Sequence, residues 1–534
     1  MTTAPPAAAT RVRGAAAGEV SGVRGCGTPT RVEVIVQTED GAVRGRRPPG
    51  GGAVFLGIPY AAPPFGALRF QAPVRPASWS GTRDATSFGA RPPQPIWSED
   101  RPARPAGRAP DCLSVNVWTP DSSARDLPVM VWIYGGAYEH GSADDPGFDG
   151  TLLTQEGVVV VTFNYRVGFE GFGHLPGVPA NRGLLDQVAA LQWVQDNIAG
   201  LGGDPGNVTV FGSSAGGGSA LALATMPRAR GLFRRCIAQS IPGLFYPPEL
   251  ATRVTARVAA AAGVPPRTAE LASLAPQQLA NTSAAVIAQL TEEPGTWGML
   301  HYATTPYFPV VDGDVLPAPP LDALGQGAAS DVDLLAGYNR DEYQMMLEDL
   351  GQRGRQDEHD VLRAAAVLLS GGSAAQDYRE AFPQLSSPDL YSLICSDWLF
   401  RMPTLDAADG HCAAPGTGAT YAYEFGWPTP VARGALGACH ALEIPFVFGN
   451  LDTPFARTWL GKTGPQEQEL STRMRRAWAS FAATGDPGWP RYEPDEACAM
   501  VWDVSDTRVT GPLPDSRRIW RQHRSTRTPA ALRP

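Results

Sequence analysis

Short apolar runs alternate along the chain with stretches whose apolar positions recur at helical spacing. Residues 129–134 and 158–163 are almost wholly apolar, which is typical of strands buried on both faces. Residues 184–198 carry apolar side chains three and four positions apart, as an amphipathic helix does. Residues 31–36 alternate instead and predict a strand with one exposed face. The alternation predicts an α/β protein with a large, mostly parallel central sheet covered by helices on both faces.

Another strand pattern, residues 208–211, runs directly into the small-residue segment GSSAGGGSA (212–220). Its first five residues fit G-x-S-x-G, in which a serine sits on a tight turn between a strand and a helix. In a chain so rich in glycine and serine the bare pattern is weak, and a flexible loop is the alternative. The strand pattern before it and the helical pattern of residues 219–224 after it favour the turn. Ser214 is therefore a candidate nucleophile, whose side chain is exposed on a tight turn because the neighbouring residues are small.

An activated serine needs a base, and the base needs an orienting acid. The histidines after Ser214 are His301, His359, His411, His440 and His523. Of these, His440 stands out because it precedes the apolar segment 445–449 on a small-residue loop. The strand pattern 331–338 ends in a loop that delivers Asp341 or Glu342 to the carboxyl edge of the sheet, where open α/β sheets keep their sites. Either acid could serve, and a solvated loop charge is the alternative.

The chain resembles the type-B carboxylesterases, which include the cholinesterases and the bacterial p-nitrobenzyl esterases. The resemblance covers roughly residues 32–505 and rests on segments that follow in the family's order. They are FLGIPYA (55–61) with LRF (68–70), DCLSVNVWTP (111–120), NYRVG (164–168), GLLDQ (183–187), GGDPGNVTVFGSSAGG (202–217), PVVDGDVLP (309–317) and CHALEIPFVFGN (439–450). The resemblance implies an α/β-hydrolase fold with helical excursions around an active-site gorge.

The resemblance also implies roles for particular residues. Ser214 is the expected nucleophile, Glu342 the acid and His440 the base. The segment YGGA (134–137) is the expected oxyanion loop, where small residues leave backbone N–H groups free. The assigned oxyanion donors are Gly136, Ala137 and Ala215. The residues that match a structural ion pair of the family are Arg166 and Asp186.

Three positions depart from the family's pattern. Ser213 stands before the nucleophile where a glutamate is usual, so the resemblance implies no negative charge there and no cation preference. Cys112 matches a cysteine that is bridged in secreted relatives, but the expected partner region, residues 91–94, has no cysteine. Pro110 replaces a glutamate that commonly pairs with the arginine equivalent to Arg69.

Composition narrows the expected partners. A net charge of −9 and a pI near 5.4 argue against a nucleic-acid or anionic-membrane partner. No apolar run is long enough to span a membrane, and no secretory signal pattern is present. Seven scattered cysteines without C-x-x-C spacing favour free thiols in a cytoplasmic protein over a disulfide framework or a metal site. We expect a disordered tail over 1–31, one catalytic domain over 32–519 and a basic tail over 520–534.

These patterns predict a serine carboxylesterase that hydrolyses neutral carboxylic esters through an acyl-enzyme on Ser214, with no cofactor or metal. A small-molecule ester is the expected partner, and a monomer or weak homodimer the expected state. Two alternatives stay open. One is an acyltransferase or macrocyclising enzyme with the same three residues, which passes the acyl group to an alcohol or amine. The other is a non-catalytic, cholinesterase-like adhesion or scaffold module.

Overall fold

A single sheet organises the computed structural model, which describes residues 33–49, 51–95, 111–493 and 495–524. Thirteen strands within these residues form it. The strands are β1 (Glu33–Thr38), β2 (Gly41–Arg46), β3 (Ala53–Pro59), β4 (Thr82–Asp84), β5 (Ser114–Thr119), β6 (Leu127–Ile133), β7 (Val159–Phe163), β8 (Gly203–Ser213), β9 (Arg235–Gln239), β10 (Asp333–Asn339), β11 (Thr420–Phe425), β12 (Cys498–Trp502) and β13 (Thr507–Thr510).

The central part of the sheet is parallel. Across the sheet the strands follow the order β1, β2, β3, β5, β7, β6, β8, β9, β10, β11, β12 and β13, with β4 beside β2. Every pairing from β7 to β12 is parallel, whereas β1–β2, β2–β3, β3–β5, β5–β7 and β12–β13 are antiparallel. All residues of β7, β9 and β11 are buried, as strands covered on both faces must be. The predicted mostly parallel sheet is thus confirmed.

Helices connect the strands and cover both buried faces of the sheet. Those within the described residues are α1 (Gly168–Phe172), α2 (Arg182–Asn197), α3 (Ala215–Thr225), α4 (Pro248–Ala261), α5 (Thr268–Ser273), α6 (Pro276–Glu292), α7 (Pro294–Trp297), α8 (Leu300–Ala303), α9 (Pro320–Gly325), α10 (Tyr343–Asp349), α11 (Glu358–Leu368), α12 (Ala374–Ala381), α13 (Ser387–Ser396), α14 (Met402–Ala413), α15 (Ile444–Phe448), α16 (Pro454–Leu460), α17 (Pro465–Thr484) and α18 (Pro514–His523). A π-helical turn, Asp397–Arg401, joins α13 to α14.

The last described helix runs past residue 519, the expected end of the catalytic domain. Helix α18 continues to His523 because its side chains are anchored to the rest of the protein. Ile519 is fully buried, Trp520 Nε1 donates to Asp406 Oδ2 at 2.8 Å, and His523 Nε2 lies 2.5 Å from Asp377 Oδ2. The described residues from 33 onward group into one compact unit. The tail expected over 1–31 lies outside the described residues.

The parallel register brings four loops to one edge of the sheet. Strands β6, β8, β10 and β11 run in the same direction, so their carboxyl ends meet at this edge. The oxyanion loop (134–137) follows β6, and Ser214 follows β8 directly. Glu342 follows β10, and the loop after β11 leads to His440. This is the edge at which open α/β sheets place their sites.

Candidate active site

Ser214 occupies a strained turn between β8 and α3. Its φ of 61° and ψ of −127° fall in a region that residues other than glycine seldom adopt. The surroundings leave no room for larger neighbours. A Cβ on Gly216 would lie 1.9 Å from the carbonyl oxygen of Ile133, and one on Gly217 would lie 2.3 Å from that of Gln239. The small residues therefore serve a tight turn, as the sequence pattern predicts.

His440 and Glu342 form a buried pair. His440 Nδ1 lies 2.6 Å from Glu342 Oε2, and both side chains are almost completely shielded from solvent. The other oxygen of Glu342 accepts the backbone N–H of Asn339 at 2.8 Å, which fixes the carboxylate. Phe400 stacks on the imidazole with ring centroids 4.3 Å apart. Within the described residues the remaining ring nitrogen, Nε2, is buried and has no hydrogen-bond partner.

The neighbouring acid, Asp341, has a different partner. Its Oδ2 accepts the N–H of Ala438 at 2.9 Å, and its own N–H donates to the Ala438 carbonyl at 2.9 Å. Burial raises the pKa of the Asp341 carboxyl, and the Ala438 hydrogen bond opposes that rise. Of the two acids that the sequence left open, the structure brings Glu342 to His440. Asp341 instead anchors the loop that carries His440, through its two hydrogen bonds with Ala438.

Glu443 links three strand ends behind the nucleophile. Its Oε1 accepts hydrogen bonds from Ser213 Oγ at 2.8 Å and from Gln239 Nε2 at 2.9 Å. Its Oε2 accepts one from Asn339 Nδ2 at 2.8 Å. The Gln239 carbonyl in turn accepts the N–H of Ser214 at 2.9 Å. Because these residues end β8, β9 and β10, the Glu443 carboxyl ties the serine turn to the loop of the acid.

The Glu443 contacts show where the Ser213 side chain lies and identify a further residue of the site. The resemblance implied only that position 213 carries no negative charge, and in the structure the Ser213 side chain is fully buried and donates its hydroxyl to Glu443. Burial, and then the nearby Glu342, raise the pKa of the Glu443 carboxyl. Sequence reasoning missed Glu443 as a site residue. The only available signal was a charged residue just before the apolar run 444–448, three positions after His440.

The oxyanion loop leaves two backbone donors free. Gly136 has φ +112° and Ala137 φ 56°, and no hydrogen bond among the described residues uses either N–H group. The Gly136 carbonyl accepts the N–H groups of Glu139 and His140, which closes the turn. Ala215 begins α3, so no carbonyl one helical turn earlier accepts its N–H. All three expected donors therefore have N–H groups at the same edge of the sheet that no described residue accepts.

Two buried ion pairs brace the surrounding loops. Arg166 and Asp186 are fully buried and joined by two side-chain hydrogen bonds of 2.7 and 2.8 Å, so the expected pair forms. Arg69 pairs with Glu170, with 2.5 Å between Nη2 and Oε1. Pro110, where the family's usual partner of this arginine stands, lies outside the described residues. Glu170 therefore provides the negative charge that pairs with Arg69, which a proline at position 110 does not.

The described part of the chain has free cysteines, no cluster of metal-binding side chains and no membrane-spanning helix. Its six cysteines, Cys112, Cys236, Cys395, Cys412, Cys439 and Cys498, are unpaired. Within the same residues, no group of three or more His, Cys, Asp or Glu side chains is placed to hold a metal ion. No helix among them is long and apolar enough to cross a bilayer.

The sheet order, the serine turn and the His440–Glu342 pair define an α/β-hydrolase fold. The carboxylesterase family model matches residues 32–507, and the chain belongs to that family. It is 36% identical over 500 residues to the para-nitrobenzyl esterase of Bacillus subtilis (strain 168), covering 91% of this chain and 98% of that protein. The fumonisin B1 esterase of Sphingopyxis macrogoltabida is 35% identical over 86% of this chain and 85% of its own length.

A solved structure similar to this one is also a carboxylesterase, as the sequence relatives are. The carboxylesterase EST55 of Geobacillus stearothermophilus superposes with a TM-score of 0.79 at 36% identity, covering 91% of this chain and 99% of its own. The predicted fold, the predicted family and the predicted ester-hydrolase activity are therefore confirmed. The chain is a hydrolase of carboxylic ester bonds that acts on small molecules. Neither the acyltransferase nor the scaffold alternative gains support.

Proposed function

We propose that Ser214, His440 and Glu342 form the catalytic triad of this esterase. The observation that carries the proposal is the 2.6 Å contact between His440 Nδ1 and Glu342 Oε2, which leaves Nε2 unpaired among the described residues. A carboxylate at Nδ1 holds the neutral ring in the tautomer whose Nε2 is a base. His440 Nε2 does not hydrogen-bond to Ser214 in the structure, and catalytic contacts of this kind often tighten in the complex with substrate.

The reaction then follows from these positions. His440 Nε2 takes the proton of Ser214 Oγ as the oxygen attacks the ester carbonyl. The carbonyl oxygen becomes an oxyanion, and the assigned donors are the N–H groups of Gly136, Ala137 and Ala215. Glu342 stabilises the imidazolium, which then protonates the leaving alcohol. Water attacks the acyl-enzyme by the same steps in reverse and releases the acid.

We propose neutral carboxylic esters as substrates at neutral pH. Support comes from the acids around the nucleophile, since Glu443 is occupied by three hydrogen-bond donors and Glu342 by His440. Neither carboxylate is therefore free to pair with a substrate cation. The Phe400 ring, which stacks on the His440 imidazole, adds an uncharged aromatic surface beside the triad.

A pair of serine variants tests the nucleophile. Ser214→Ala is expected to lower kcat by about 10⁴- to 10⁶-fold and to abolish covalent labelling by an organophosphonate. Ser213→Ala is the matched control, because it alters the neighbouring hydroxyl and leaves the proposed nucleophile in place. It should still be labelled, with the adduct mapped to Ser214 by mass spectrometry. Labelling of Ser214→Ala, or near-wild-type turnover in it, would refute the assignment.

A further inference from the structure

The segment that joins α13 to α14, Asp397–Arg401, is a π-helical turn, and a proline accounts for it. Pro403 has no N–H group to donate to the Leu399 carbonyl four residues earlier, and its ring would clash with that oxygen in an α-helix. The helix widens instead, so that the Met402 N–H donates to the carbonyl five residues before it. The released Leu399 carbonyl accepts the N–H of Gly243 at 2.9 Å. Turns of this kind are frequent at functional sites.

The π-helical turn is attached to the loop that carries the proposed acid. The buried Arg401 has its Nε 3.1 Å from Asp397 Oδ1, so an ion pair closes the turn. Arg401 Nη1 donates to the Arg340 carbonyl at 3.1 Å. Arg340 lies two residues before Glu342. The turn is therefore fixed to the acid loop, and the residue next to Arg401 that it presents is Phe400.

Phe400 covers one face of the His440 ring. The two ring centroids are 4.3 Å apart, the planes are inclined by 27°, and both side chains are almost completely buried. Glu342 contacts the same imidazole at its Nδ1 edge. The face of an aromatic ring carries negative potential, and a cation lying over it is attracted more strongly away from water. The imidazolium that forms during ester hydrolysis is such a cation.

We propose that Phe400 is a positioning residue whose ring face stabilises the His440 imidazolium, and that the π-helical turn holds the ring in place. The inference rests on the proposed function, because it requires His440 to be the base. The neutral imidazole gains less from the aromatic face than the imidazolium does, so Phe400 favours transfer of the nucleophile's proton and lowers the barrier. The acids that interact with the charge of His440 are Glu342, Asp349 and Glu443, and substitution of Phe400 leaves all three in place.

Replacement of Phe400 by 3,4,5-trifluorophenylalanine in the full-length protein tests the inference, because fluorine weakens the negative potential of the ring face and nearly preserves its shape. The readout is the pH dependence of kcat/KM for a neutral p-nitrophenyl ester from pH 5 to pH 9. The midpoint of the rising limb should move to lower pH by about 0.5 pH unit, and kcat and kcat/KM on the plateau should fall equally, by about threefold. Phe400→Leu removes the ring face and should give about one pH unit and about tenfold.

Phe481→Leu is the matched control, because it removes a ring that is buried between α17 and β11, where it packs edge-to-face on Tyr421. It should lower the free energy of unfolding and keep the wild-type midpoint. Phe400→Tyr keeps the ring face and should also keep the wild-type midpoint. An unchanged midpoint in the trifluorophenylalanine protein overturns the inference, whether or not Phe400→Leu folds. Failure of the proposed function would be seen separately, as organophosphonate labelling of a residue other than Ser214.

Discussion

Ser213 Oγ donates a hydrogen bond to Glu443 Oε1 over 2.8 Å, and both side chains are completely buried. The hydroxyl beside the nucleophile is therefore a structural donor that stabilises a buried carboxyl. Glu443 has further donors on Gln239 and Asn339, and an unpaired acid at this depth would be costly. A serine therefore fits position 213 because its hydroxyl donates a hydrogen bond to the buried Glu443 carboxyl.

A glutamate at position 213 would bring a second carboxyl against Glu443. Because two carboxylates in one buried site cannot both ionise easily, Ser213→Glu should destabilise the protein, and more at pH 8 than at pH 5. We expect a loss of about 2–4 kcal/mol at pH 8, measured by urea unfolding. Ser213→Ala, the control, should lose about 1–2 kcal/mol because one donor is missing. An unchanged midpoint for Ser213→Glu would show that its side chain turns away from Glu443.

The two adjacent acids should respond differently to neutralisation. Glu342→Gln is expected to lower kcat by about 10³- to 10⁴-fold, because the amide cannot stabilise the imidazolium of His440. Asp341→Asn keeps an oxygen that can accept the Ala438 N–H, so kcat should fall less than tenfold and unfolding stability by about 1 kcal/mol. Steady-state kinetics of both variants measures the losses in kcat, and urea unfolding measures the losses in stability. A larger kcat loss in Asp341→Asn would reverse the assignment of the acid.

Much of the fold and the serine turn could be predicted from local sequence. The apolar runs 129–134 and 158–163 mark β6 and β7 because strands buried on both faces need apolar side chains throughout. Ser214 was visible because the turn tolerates only small neighbours, which leave a recognisable pattern. Glu342 and His440 were located by the family's motifs, and their contact could not have been derived from spacing alone.

The contacts that sequence missed depend on residues far apart in the chain. Glu443 meets Ser213 across 230 positions, and that meeting is set by the register of three strand ends. Arg69 has Glu170 as its partner across 101 positions, although family comparison directed attention to Pro110. Thr305 likewise contacts the oxyanion loop at Ala137 across 168 positions. A pattern within a short stretch of sequence does not predict contacts between residues so far apart in the chain.

The cysteines should behave as buried free thiols. Cys112 is fully shielded, and burial is the main cause that raises the pKa of its thiol well above the ordinary value. A native, unreduced sample should therefore react slowly with iodoacetamide at Cys112, whereas denaturation without reductant should allow complete alkylation. Intact-mass and peptide mass spectrometry measure both states. A Cys112 that stays unmodified until a reductant is added would indicate a disulfide and argue against a cytoplasmic location.

Glu139 is 1% exposed, and its carboxyl has no hydrogen-bond partner among the described residues. It should make the protein less stable as pH rises through the weakly acidic range. In the unfolded chain its carboxyl ionises near pH 4.5, whereas in the folded protein the pKa is about 8. Between these values the unfolded state releases the proton and the folded state keeps it, so the free energy of unfolding falls with increasing pH. The fall begins near pH 4.5 and levels off above pH 8, and its upper limit is about 4–5 kcal/mol.

Urea unfolding of the wild type and Glu139→Gln at half-unit steps from pH 5 to pH 9 isolates this contribution. The glutamine variant should gain stability relative to the wild type as pH rises, because it has no proton to lose. Other titrating groups contribute equally to both proteins and cancel in the difference. A wild-type minus Glu139→Gln difference that is independent of pH would mean that the carboxyl ionises normally in the folded state.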